Sequence, residues 1–65
     1  MPVITIEILR QDVEKKKEIA KALTDELHRI TGIPKQAITV VFHENSADNV
    51  SVGGELLSEK QKKAS

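Results

Sequence analysis

Two stretches of the chain alternate apolar and polar side chains, and one long stretch between them repeats at helical spacing. From Val3 to Leu9 the alternation puts Ile4, Ile6 and Ile8 on one face and Val3, Thr5, Glu7 and Leu9 on the other. The run of β-branched side chains on a single face fits a strand. From about Val13 to Thr31 the apolar positions Ile19, Leu23, Leu27 and Ile30, flanked by Ala20 and Ala22, form one stripe of an amphipathic helix. Ile38 to Glu44 alternates again, with Ile38, Val40 and Phe42 against Thr39, Val41 and His43. The isoleucine face of the first strand is expected to meet the helix.

Local signals bound these elements. Asp12 is placed to cap the helix N-terminus, and Gly32 its C-terminus, with Pro34 just beyond. Glu14 and Glu18 repel each other but lie where the helix dipole favours acids, and Glu14–Lys17 and Glu18–Lys21 are favourable pairs. Lys15, Lys16, Lys17 and Lys21 read as a solvated face, and Arg29 is accounted for by the dipole at the helix end. Pro34 to Ala37 is a turn or a single helical turn, and Asn45 to Asn49 a polar loop. Val50-Ser51-Val52 alternates briefly before Gly53-Gly54, which suits a tight turn or a hairpin. Leu56 and Leu57 are too few for a core of their own and could pack on a neighbouring copy. The last residues are expected to fray.

Strand, long helix and strand predict a βαβ unit with parallel strands and a right-handed crossover. Parallel pairing brings the starts of the two strands together, so Ile38 and Thr39 are expected beside Pro2. The fold class is thus α/β: one β-α-β unit with a short C-terminal hairpin, residues 1–65 forming a single domain.

Length and composition then narrow the function. A chain of 65 residues with one aromatic side chain, Phe42, and no cysteine has little core and no cross-link, so self-association is expected. Ten basic and ten acidic residues cancel, which argues against a nucleic-acid partner. No apolar run is long enough for a membrane span and no signal-peptide pattern is present, so a cytoplasmic protein is expected. His28 and His43 lack carboxylates at ligand spacing and read as surface or interface residues rather than a metal site, with His43 as an auxiliary acid a weaker reading. Glu7 could pair across an interface.

The chemistry centres on Pro2. Proline, without an N–H, fits the first residue of a strand. Removal of Met1 would also turn its nitrogen into a free secondary amine held in a fixed position. Desolvation, or a cation such as Arg10 nearby, would lower that amine's basicity toward working pH.

Met1-Pro2 at the head of a strand, the βαβ spacing, Gly32-Ile33-Pro34, Ile38 to Glu44, and Asn49-Val50-Ser51-Val52-Gly53-Gly54-Glu55-Leu56 together resemble the 4-oxalocrotonate tautomerase family over nearly the whole chain. The resemblance implies a cofactor-independent tautomerase, assembled as a hexamer from a trimer of dimers. Its amino-terminal proline, here Pro2, carries a proton between atoms of a small enol or 2-oxo acid. It implies Arg10 as the binder of a substrate carboxylate. Thr39 stands where the family has a second arginine acting across a subunit boundary, and Val50 where it has an aromatic residue lining the site. Other readings are a hydratase or dehalogenase on an unsaturated acid, which needs a carboxyl group to activate water, and a non-enzymatic oligomeric scaffold or ligand-binding module. The expected oligomer is checked by light scattering: a folded protein at micromolar concentration has the mass of several chains, whereas a stable folded monomer would contradict the reading.

Overall fold

The structure, a computed structural model, describes the backbone from Met1 to Ala64 and side chains as far as Lys60. Strand β1 (Val3–Leu9) is followed by helix α1 (Val13–Thr31), strand β2 (Thr39–Asn45), a hairpin of β3 (Ser51–Val52) and β4 (Glu55–Leu56), and helix α2 (Leu57–Ala64). Short 3-10 turns at Lys35–Ala37 and Ala47–Asn49 flank β2. β1 and β2 pair in parallel with Val3 opposite Thr39, Ile6 opposite Phe42 and Glu7 opposite His43. β3 and β4 pair antiparallel around Gly53 and Gly54, both at positive φ. The β-α-β unit and the C-terminal hairpin follow the sequence expectation.

Residues paired in a parallel ladder point to the same side, so Ile4, Ile6 and Ile8 share a face with Val40, Phe42 and Glu44. The Glu44 carboxylate accepts the Gln11 N–H at 2.9 Å and a bond from Lys16 Nζ at 3.0 Å. Those bonds mark this as the side covered by α1. The other side carries Val3, Thr5, Glu7, Thr39 and His43, all exposed.

The ends of α1 are closed as the sequence predicts. Asp12 is extended and its Oδ1 accepts the Lys15 N–H at 2.8 Å. Gly32 adopts φ 75° and donates to the His28 carbonyl at 2.8 Å. His28 Nδ1 lies 2.7 Å from the carbonyl oxygen of Ile33 and so must donate to it, tying the helix end to the turn.

Several expectations are corrected. Lys16 is half-buried and paired with Glu44 rather than solvated. Glu14–Lys17 forms at 3.8 Å, but Lys21 pairs with Asp25 at 2.6 Å instead of Glu18, because one further turn brings Asp25 within reach. Arg29 also bonds Glu26. Of the expected stripe Ile30 is 65% and Leu23 36% exposed, while Ile19, Ala20 and Leu27 are half-buried. β2 starts one residue later than expected, since Ile38 N–H closes the 3-10 turn on the Lys35 carbonyl, and it runs on to Asn45. The tail is helical from Leu57, whose N–H donates to the Val50 carbonyl at 2.8 Å. The expected fraying of the last residues extends to Ser65, outside the described residues. None of the described residues is buried; the best-covered apolar side chains are only half-buried.

The caps yield a stability prediction. Gly32→Ala costs about 1–2 kcal/mol from backbone strain alone, because an added Cβ would meet nothing within 4 Å. Asp12→Ala costs about 1 kcal/mol from the lost cap. Urea unfolding at fixed protein concentration measures both.

Candidate active site

The predicted site residues fall into two groups at opposite ends of β1. At the head of the strand, Pro2 is half-buried and its carbonyl oxygen accepts the Thr39 N–H at 3.1 Å. Thr39 lies opposite Val3, one residue from Pro2, as the parallel crossover requires. Met1 in front of them is 96% exposed. While Met1 is attached the proline nitrogen is an amide.

Arg10 and Val50 lie at the far end, about 25 Å from Pro2 along an extended strand. The expected closeness of Arg10 to Pro2 is therefore not met inside one protomer. Seven strand residues separate them. Arg10 lines a cavity of about 400 Å³ together with Glu44, Asn45, Ser46 and Asn49. Its guanidinium makes no hydrogen bond or ion pair with any described residue. The one acid beside it, Glu44, is already taken by Gln11 and Lys16, and those bonds, in that order, hold its carboxyl below the usual range, with Arg10's charge adding a little. Arg10 thus lines this cavity without a direct bond, its charge offset only in part by Glu44. Val50 lines an adjoining cavity of about 230 Å³ with Glu7, Ile8, Leu9, Asn45 and Leu57. A larger concavity of about 580 Å³ runs along the charged outer face of α1 between Asp12 and Lys21. It touches none of the predicted site residues.

One cluster was not foreseen. His43 was expected to lack a carboxylate at ligand spacing. Instead His43 Nδ1 lies 2.5 Å from Glu7 Oε2. Asn45 Nδ2 donates to Glu7 Oε1 at 3.2 Å and to the His43 carbonyl at 3.3 Å. The Asn45 amide, then His43, hold the Glu7 carboxyl below its ordinary value. The signal that could have found the cluster is the register, because pairing Val3 with Thr39 sets Glu7 beside His43.

This geometry can now be set beside known proteins. The model of the family described as tautomerase enzyme matches residues 2–60. A probable tautomerase of Bacillus cereus is 36% identical over 61 residues, which is 92% of this chain and all of the relative. The solved structure of DmpI from Archaeoglobus fulgidus is 40% identical with a TM-score of 0.80, covering 88% of this chain and 98% of that one. A 4-oxalocrotonate tautomerase homologue of known structure is 32% identical with a TM-score of 0.83, covering 91% and 95%. The chain belongs to the tautomerase enzyme family. The resemblance read from the sequence and the expectation of an enzyme agree with this.

Acid titration tests the electrostatics at the end of α1. Asp25, ordinarily near 3.8, is lowered to about 2 by bonds from Lys21 and Lys35. The ionised carboxylate is favoured in the folded state, so its contribution is complete above pH 3.8 and is lost as pH falls from there toward 2. Asp25→Asn is expected to flatten that part of the stability–pH curve, measured by urea midpoint, and to leave the slope near neutral pH unchanged.

Proposed function

We propose that the chain is a cofactor-independent tautomerase acting on a small enol or 2-oxo acid, with Pro2, freed by loss of Met1, as the general base. The secondary amine takes the enol hydroxyl proton as the C–O bond becomes a carbonyl. It then returns a proton to the carbon that receives the electron pair of the former C=C bond. Proton and electrons balance, and no cofactor is needed. The observation that carries the reading is the bond from Thr39 N–H to the Pro2 carbonyl. It fixes the proline at the head of the sheet, where a free amine would have one orientation.

A complete site draws on two copies. Both strands of the β1–β2 sheet have an outer edge unpaired among the described residues, and none of those residues is buried. Two copies joined about a two-fold axis with their strands antiparallel would bring the Pro2 end of one against the Arg10 end of the other. Arg10 would then hold the substrate carboxylate in two-pronged fashion and, as a nearby cation, lower the basicity of the amine. The hexameric assembly expected from the sequence fits this arrangement. Thr39 adds no charge at its end, so the site is open to smaller or singly charged acids.

Pro2→Ala is expected to lower kcat by more than tenfold while changing KM less, since it alters the rigidity and basicity of the base. Arg10→Ala is expected to raise KM for an acidic substrate. Thr39→Arg is expected to favour a dicarboxylate by about tenfold through a charge-assisted pair. Steady-state assays on protein whose N-terminus is confirmed by intact mass measure all three. Full activity in Pro2→Ala, or in a preparation that retains Met1 on every chain, would overturn the reading.

A further inference from the structure

We infer that Glu7 is a specificity-determining residue that restricts the substrate to an acid with one carboxylate and an apolar far end. The two cavities at the end of β1 adjoin at Asn45, which lines both. One half offers the Arg10 guanidinium, with Asn45, Ser46 and Asn49 and with a Glu44 carboxylate already bonded to Gln11 and Lys16. The other half is walled by Ile8, Leu9, Val50 and Leu57, with Glu7 as its one charged side chain. A small acid with its carboxylate on Arg10 would extend its other end along these apolar walls. Val50, shorter than an aromatic side chain, leaves room there for a branched alkyl or phenyl group.

Glu7 makes this half selective. Its two oxygens are bonded to His43 and Asn45, which favours one orientation of the carboxylate. The same bonds keep it ionised. A second carboxylate on the substrate would meet a like charge in a partly apolar cavity. Rejection of this kind gives specificity by repulsion as much as by fit. No Lys or Arg lines that half, and His43 bonds one Glu7 oxygen from outside the lining.

The inference rests on the proposed function for which acid is turned over, but its binding half stands independently. The test uses the full chain, as assembled, with two inert probes, 3-phenylpropanoate and adipate, followed by titration calorimetry and by the shifts of the Asn45 and Asn49 side-chain amide signals. The wild-type protein is expected to bind 3-phenylpropanoate at least tenfold more tightly than adipate. Glu7→Gln, which keeps the shape of the side chain and removes its charge, is expected to shrink that ratio about tenfold. In turnover, the ratio of kcat/KM for 2-hydroxymuconate to that for the enol of phenylpyruvate is expected to rise by a similar factor in the variant. Equal or tighter binding of adipate by the wild type, or an unchanged binding ratio in Glu7→Gln, would overturn the inference. Should Glu7→Gln fail to fold, the wild-type preference alone decides. Selective binding without turnover of either enol would support this binding site and count against Pro2 as base, so the two failures are distinct.

Discussion

The parallel register of β1 on β2 is the constraint on which the rest depends. Setting Val3 opposite Thr39 fixes three consequences at once. Thr39 N–H reaches the Pro2 carbonyl and locks the head of the sheet. Glu7 falls beside His43 and Asn45 on the open face. Glu44 falls on the covered face, where Gln11 and Lys16 hold the start of α1 against the end of β2. A slip of one residue would turn Glu44 to the open face and His43 under the helix, breaking all three.

The same topology separates the chemistry. A parallel pair places both strand starts at one end and both strand ends at the other. The proline end and the Arg10–Val50 end of one protomer therefore cannot cooperate in a single reaction. The protomer is also poor in interior: Phe42 is half-buried, and Val3 and Ile30 are exposed. Self-association would answer both deficits, covering apolar surface and joining the two halves of the site. In this reading stability and catalysis share one cause.

Much of this was legible in the sequence because it rests on local signals. Asp12 and Gly32 cap α1 through bonds to residues three and four positions away, so the helix bounds could be read directly. Alternation marked β1 without error, and the crossover rule put Thr39 beside Pro2. What was not legible depends on contacts distant in sequence. α2 begins where Leu57 bonds Val50, and its polar lysine-rich sequence has no apolar stripe to announce it. Lys16 looked like any other lysine of the run until the sheet supplied Glu44. The Glu7–His43 pair spans 36 residues and needs the register, which alternation alone does not give. Arg10 was read as close to Pro2, yet a straight strand of seven residues holds it at the other end.

The most direct test is subunit complementation. Pro2→Ala and Arg10→Ala proteins, each weak alone when assayed well below the KM of the Arg10 variant, are dissociated, mixed in equal amounts and reassembled. If Pro2 of one chain works with Arg10 of another, random mixing gives about a quarter of the sites both wild-type residues, and activity returns to a comparable fraction of wild type. If both residues must come from one chain, every site in the mixture lacks one of them. Activity that stays at the level of the separate variants, in a mixture shown by native mass spectrometry to contain mixed oligomers, would contradict the two-copy site.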